Sequence, residues 1–448
     1  MTDVMVTIRR YLDKPTASGL ANAVSHGIRD GILAPGIKLP PIRMVAAELG
    51  LAPATVAASW GLLARSGAIQ TDGRRGTTVV DTSALGSSRY RQALAHTTHF
   101  RQDLSTGVPD PDLLPELTRA LKHLTTAATP GNYLDEPVLP ELIETLRDDW
   151  PYDAEEFTVV DGAMDGLELA ARTLLRFGDR VIVEHPCFPP LLDLLEAIGV
   201  EIVGIPLDEH GPRMDSLADA LRSPVNAVFI QPRGQNPTGV SISRSRARQV
   251  AAALKPHKAP VVEDDSAGAI ASTPAISLGR WIPSQTLHIR SFSKSHGPDL
   301  RLAAISGPSA LINQITHRRQ LGQGWSSRLL QRILLTLLTD PRAREQVEHA
   351  RGEYRLRRDL LIEALASHDI SVEGNDGLNL WIPVHDESAT TVRLASQGIG
   401  VAPGSPFAVL PEPDPHIRVT GGLITKGHAD IATLLAAAAQ PGIRRMTR

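Results

Sequence analysis

The chain has 448 residues, of which 42% are apolar and 21% charged, values of a globular protein with two or three domains rather than a single core. A single cysteine, Cys187, excludes an intrachain disulfide and fits a reducing cytoplasm, and no apolar run is long enough for a membrane span or a signal core. The net charge of −3 is uneven: residues 1–100 hold eleven Lys/Arg against six Asp/Glu, a balance of +5, so the remainder sums to −8, a basic head on an acidic body.

The first eighty residues read as three short helices and a hairpin. Leu20, Val24 and Ile28 recur at i, i+4, i+8, which predicts a helix with one apolar face, ended by Gly31 and Pro35-Gly36. Pro41–Leu49 reads as a second helix closed by Gly50. A third starts near Pro53, buries Val56, Trp60 and Leu63, and closes at Gly67. Along this third helix Ala54, Thr55, Ala57, Ala58 and Ser59 are expected to be exposed. Two short β-like runs, Ala68–Thr71 and Thr77–Val80, flank the basic tip Asp72-Gly73-Arg74-Arg75-Gly76. The whole is a helix, a helix–turn–helix and a wing. Residues 81–101 lack periodicity and read as a linker, with a possible helical turn at Tyr90–Leu94.

Beyond Gln102, apolar runs alternate with Ala/Leu-rich helical stretches. Thr158–Val160, Arg180–Val183, Val200–Ile205, Ala227–Ile230, Val261–Val262 and Thr286–Ile289 read as buried strands. Such alternation predicts an α/β fold with a mainly parallel sheet and helices on both faces, over residues 102–350. Residues 351–448 read as a smaller α+β unit.

Chemistry-bearing motifs follow those strands. Ser291-Phe292-Ser293-Lys294 is followed by Gly297-Pro298 and Arg301. A lysine buried after a strand has its pKa lowered, which favours the neutral amine that imine chemistry needs. Ser291, Ser293 and Arg301 offer donors and a cation to a phosphate. Asp161-Gly162-Ala163-Met164 leads from a strand into a helix, whose first N–H groups can cradle an anion. Phe188, in Glu184-His185-Pro186-Cys187-Phe188-Pro189, can stack on a flat ring or simply fill the core. Asn236, in Asn236-Pro237-Thr238-Gly239, can donate to a phenolate oxygen. In Glu263-Asp264-Asp265 a carboxylate can keep a pyridine nitrogen protonated.

Taken in this order, with Ile417-Arg418 near the end, the motifs resemble those of fold-type-I aminotransferases (class I/II), from about Asp103 onwards. The resemblance implies pyridoxal phosphate as cofactor. It implies Lys294 as the catalytic Schiff-base lysine, Asp264 on the pyridine nitrogen, Asn236 on the ring oxygen O3′ and Phe188 as the stacking ring. Gly162, Ala163, Ser291, Ser293 and Arg301 fall on the phosphate cup, and Tyr133 on a tyrosine that the partner subunit often supplies. Arg418 falls on the arginine that binds an amino acid's α-carboxylate, where a guanidinium fork makes two parallel charged bonds. The chain departs from the pattern at Ser266, where the family usually has a tyrosine reaching O3′, and at Asp135-Glu136-Pro137-Val138, which lacks a common glycine.

Over residues 17–80, Leu39-Pro40-Pro41-Ile42-Arg43, Val45-Ala46-Ala47-Glu48-Leu49-Gly50 and Thr55-Val56 with Trp60 resemble the winged helix–turn–helix of GntR-type regulators. Arg43, Thr55, Arg65, Arg74 and Arg75 are then the candidate DNA contacts, mainly to phosphates. Ala52-Pro53-Ala54 stands where the family opens its recognition helix with Ser-Arg. A GntR head (1–80), a linker (81–101) and an aminotransferase-like body (102–350 and 351–448) resemble the MocR subfamily. The resemblance implies a cytoplasmic homodimeric transcriptional regulator that binds operator DNA, pyridoxal phosphate and an amino-acid or amine effector. Two other readings stay open: a working aminotransferase with a vestigial head, and a cofactor reservoir that neither binds DNA nor turns over.

Overall fold

A computed structural model of the chain describes residues 2–34, 36–65, 68–72, 76–79, 89, 100–127, 132–133, 135–411 and 413–440. The head begins with a helix that the periodicity did not single out, α1 (Thr2–Tyr11), which buries Val4, Met5 and Ile8 against the head core. Arg9 ties it to the helix over Ile42–Leu49 by donating to the Glu48 carbonyl and carboxylate, at 2.8 and 2.7 Å. Helix α2 (Ala17–Arg29) is capped by Thr16, whose hydroxyl accepts from the Gly19 N–H. Helices α3 (Ile42–Leu49) and α4 (Pro53–Arg65) meet at Gly50, which closes α3 in the left-handed conformation, φ 66°. Strands β2 (Ile69–Asp72) and β3 (Gly76–Val79) form the wing hairpin, and β1 (Lys38–Leu39) pairs with β3.

Strand β4 (Gln102–Asp103) brings the chain into the body through its smaller unit. It pairs with β14 (Ile399–Gly400), and Leu104 is buried in that unit's core. The large unit is built on an eight-stranded sheet among the described residues. It contains β5 (Glu156–Val160), β6 (Arg180–His185), β7 (Glu201–Asp208), β8 (Gly211–Pro212), β9 (Ala227–Ile230), β10 (Val261–Asp265), β11 (Thr286–Ser291) and β12 (Ala303–Gly307). In space the order is β5-β12-β11-β10-β9-β6-β7-β8. The central pairs from β11 to β7 are parallel, whereas β12 runs antiparallel between β11 and β5. The Ala-rich run that forms β12 has no apolar signal strong enough to mark it in the sequence.

Alternate residues of the strands feed two cores. Val181, Val183 and Phe229 pack on one side with α5 (Ala163–Leu174) and α6 (Pro189–Ile198). Ile182, Val228 and Ile230 pack on the other with α7 (Arg244–Leu254). Burial on both faces is what makes such strands continuous apolar runs. The long helix α8 (Pro341–Ala366) leads to the small unit, where β13 (Leu380–Pro383), β16 (His416–Val419) and β15 (Ala402–Pro403) form a second sheet. Head and body touch where Phe177 packs on the head core.

Candidate cofactor and effector site

Strands β6, β9, β10 and β11 point the same way, so the segments leaving their C-terminal ends converge at one edge of the sheet. In open α/β sheets that edge is where ligands bind. The strand ends carry Glu184 and Asp264, and the segments leaving them carry Gln231 and Lys294.

Strand β10 sorts three adjacent carboxylates by its pleat. Glu263 and Asp265 face one side. Glu263 accepts from the Leu278 N–H and lies 2.7 Å from His288 Nδ1, while Asp265 takes a two-pronged bond from Arg233 at 2.6 and 3.2 Å. Burial would raise the Asp265 pKa, but Arg233 and His288 hold it far below the usual carboxylate range. Asp264 faces the other side. Its Oδ2 accepts from Gln231 Nε2 at 2.6 Å, and its Oδ1 is buried with no hydrogen-bond partner. Burial pushes its pKa up to about 6, with the Gln231 bond and the nearby Lys294 pulling it down. Lys294 is lowered from its usual value, first by burial and further by Arg418, while Asp264 opposes the shift. Lowering favours the neutral amine.

Asn236 and Arg418 meet beside this pair. Arg418 Nη1 donates to Asn236 Oδ1 at 3.2 Å, Nη2 donates to the Ser105 carbonyl, and the guanidinium lies 5.1 Å from the Phe407 ring centroid. Asn379 Nδ2 lies 3.4 Å from the same Asn236 oxygen. Gly107 lies beside the guanidinium and adopts φ 66°, a left-handed conformation that favours glycine.

At the next strand end, Gly162 adopts φ 100° and precedes Ala163, the first residue of α5. A Cβ on Gly162 would lie 3.0 Å from Arg301 Nη2, which donates to the Asp161 carbonyl. Ser291 is buried at the end of β11, and its hydroxyl accepts from the Ser293 N–H. The half-buried Phe188 caps α6 and packs against the core. Ser266 accepts from Gln231 Nε2 at 3.2 Å. Tyr133 is 88% exposed, its ring edge-on to Trp325.

Gln231 and Asn379 lie outside the sequence motifs, and Glu184 opens one of them with no role assigned to it. Glu184 is fully enclosed and accepts from the Gln231 N–H at 3.0 Å. Burial raises its pKa to about 8, and Asp264 adds to the rise. In the head, Arg43 is exposed and Thr55 half-buried, while Ser59 is buried rather than exposed, because it falls on the face of α4 that also buries Val56, Trp60 and Leu63. The Arg65 side chain, Arg74 and Arg75 lie outside the described residues, as does the linker apart from Arg89, Phe100 and Arg101.

A half-buried lysine, a buried carboxylate with one oxygen unsatisfied and a glycine–arginine cradle define the body as aminotransferase-like, with residues that fit pyridoxal phosphate. The chain belongs to the aminotransferase class I and II family, whose profile matches residues 102–432, and the profile of bacterial regulatory proteins of the gntR family matches residues 16–79. It is a transcriptional regulator with an aminotransferase-like domain, of the MocR type. It is 35% identical to the vitamin B6 salvage pathway transcriptional repressor PtsJ of Salmonella typhimurium, over 95% of this chain and 98% of that one. It is 25% identical to the pyridoxine biosynthesis regulator PdxR of Corynebacterium glutamicum, over 82% of each chain. The fold matches kynurenine aminotransferase of Pyrococcus horikoshii with a TM-score of 0.72 at 21% identity, over 80% of this chain and 95% of that one.

Proposed function

We propose that this chain represses or activates transcription as a homodimer whose heads bind operator DNA and whose bodies hold pyridoxal phosphate on Lys294. An amino acid or amine, clamped at Arg418, would act with the cofactor as effector. The observation that carries this reading is the unpartnered Oδ1 of Asp264, buried beside Lys294 in a chain that also bears a GntR head. Bound pyridoxal phosphate supplies an aldehyde that condenses with amines and a ring that withdraws electrons. Asp264 would hold a proton on the ring nitrogen, Asn236 would donate to O3′, and Gly162, Ala163, Ser291, Ser293 and Arg301 would bind the phosphate. Arg418 would bind the effector carboxylate, releasing its present bond to Asn236. Ligand that favours one arrangement of the heads shifts the population and hence DNA affinity.

The units we assign are a head (1–80), a linker (81–101), a large unit (102–350) and a small unit (351–448), acting in the cytoplasm. Among the described residues no single helix is long and apolar enough to cross a membrane. Tyr133, exposed at the edge of its own chain, is available to a second copy. The names of PtsJ and PdxR support vitamin B6 metabolism as the regulated process and the cofactor itself as part of the signal. A second reading, weak transamination, is favoured by the joint presence of Lys294, Asp264, Asn236 and Arg418. It is disfavoured at Ser266, which sits against Gln231 where the family has a tyrosine reaching O3′.

The test is spectroscopic. Pyridoxal phosphate added to the apo-protein should give a visible band that Lys294→Ala lacks while keeping its far-ultraviolet circular dichroism. A band of equal strength in Lys294→Ala would remove Lys294 from the site.

A further inference from the structure

We propose that Gln231 is the positioning residue that aims Asp264 at the cofactor's ring nitrogen. The inference rests on the reading of this site as a pyridoxal phosphate pocket. Gln231 is the first residue after β9 and is buried. Its side chain is fixed from both ends. Oε1 accepts from the Asn236 N–H at 2.8 Å, and Nε2 donates to Asp264 Oδ2 at 2.6 Å and to Ser266 Oγ at 3.2 Å. Its own N–H donates to Glu184 at 3.0 Å, which anchors the residue to β6. A flipped amide would set its oxygen against the carboxylate and its NH₂ against the Asn236 N–H, so the network admits one orientation.

One side chain therefore joins the ring-nitrogen carboxylate, the loop bearing the O3′ donor and the position where the family tyrosine is absent. With Oδ2 held, Oδ1 remains as the acceptor for a ring N–H. The amide stabilises the ionised carboxylate without adding charge to a pocket that already holds Lys294, Asp265, His288 and Glu184 around Asp264. Losing that donor favours the protonated acid and strips the ring nitrogen of its proton. A ring without that positive charge lets Nζ of Lys294, once joined to the cofactor, keep its proton to higher pH.

The experiment is a pH titration of the visible band of the pyridoxal phosphate-loaded full-length protein. Gln231→Met keeps the length of the side chain and removes both hydrogen-bonding ends, and Gln231→Asn keeps the amide but shortens its reach. Each should raise the midpoint by about one pH unit and weaken cofactor binding roughly tenfold. Ser266→Ala should move the midpoint by no more than about 0.3 unit, because it loses only the longer bond. An unchanged midpoint in either folded glutamine variant, or a Ser266→Ala shift as large as theirs, overturns the inference. Absence of a Lys294-dependent band in the unaltered protein would instead overturn the reading of the site on which it rests.

Discussion

Glu184 is the residue whose ionisation the fold resists most plainly within the site. It sits at the end of β6, enclosed, with the Gln231 N–H as its donor and Asp264 nearby. Its pKa rises from 4.5 to about 8, so the folded state prefers the protonated form. Above pH 4.5 the unfolded chain releases that proton and the folded one keeps it. The apo-protein should therefore lose about 1.4 kcal/mol per pH unit from this group between those values. Glu184→Gln keeps an oxygen for Gln231 and removes the titration. Urea unfolding at pH 5 and pH 8 should show a smaller fall for the variant than for the unaltered protein, and equal falls would remove Glu184 as the cause. Lys294, Asp264, Asn236 and Arg418 were legible in the sequence because each sits in a short motif at a strand end. Gln231, Glu184 and Asn379 were not, because their partners lie 33, 47 and 143 residues away and meet them only through strand order.

At the scale of elements, the head shows what local chemistry decides. Gly50 ends α3 at φ 66° with nothing within 4 Å of a would-be Cβ. Gly50→Ala should thus cost about 1 kcal/mol, from backbone conformation rather than crowding. The head's denaturation midpoint would report it, and no change would show that Gly50 does not set the turn. Exposed Arg43 on α3 is the described candidate for a phosphate contact. Arg43→Ala should weaken binding to all DNA sequences and lower the salt slope by about 1, as measured by anisotropy titrations at several salt concentrations. Helix α1 is hard to read from sequence because its buried face rests on only Val4, Met5 and Ile8, too short a run to set a period. Strand β10 runs three residues past its apolar start because Glu263, Asp264 and Asp265 are all buried in the fold, a polar run that periodicity reads as loop.

The whole molecule depends on how its units are held together, which spacing in the sequence does not reveal. Asp376, just before β13, is buried and accepts from the N–H groups of Ser272, Thr273 and Gly377 and from the Ser241 hydroxyl. It thereby fastens the approach to the small sheet onto the large unit beside the Asn236 loop, where the Asn375 and Asp376 N–H groups donate to the Gly239 carbonyl. Burial would raise its pKa, but the Thr273 and Ser272 donors hold it below the usual 3.8. Its contribution is complete above that value and is lost as pH falls through the lowered one. Asp376→Ala should destabilise the body by on the order of 3 kcal/mol at neutral pH and flatten the acid limb of its stability curve. An unaltered denaturant midpoint would show that the clasp carries no stability. The linker makes a second attachment: the Arg89 N–H donates to Asp193, and the guanidinium donates to the Ala408 carbonyl and pairs with Glu196. The preceding residue Phe407 lies under the Arg418 guanidinium, so the linker contact and the proposed effector clamp share one segment of the small unit.

The claim that the body governs the head is tested most directly by footprinting on the DNA upstream of the chain's own gene, at near-physiological salt. Apo-protein, cofactor-loaded protein and loaded protein with a panel of amino acids and amines would be compared. The expected result is a protected site whose affinity changes with pyridoxal phosphate, and changes again with a compound whose effect Arg418→Ala abolishes. Protection that is indifferent to cofactor and to every amino compound, or no protection above non-specific binding, would contradict it.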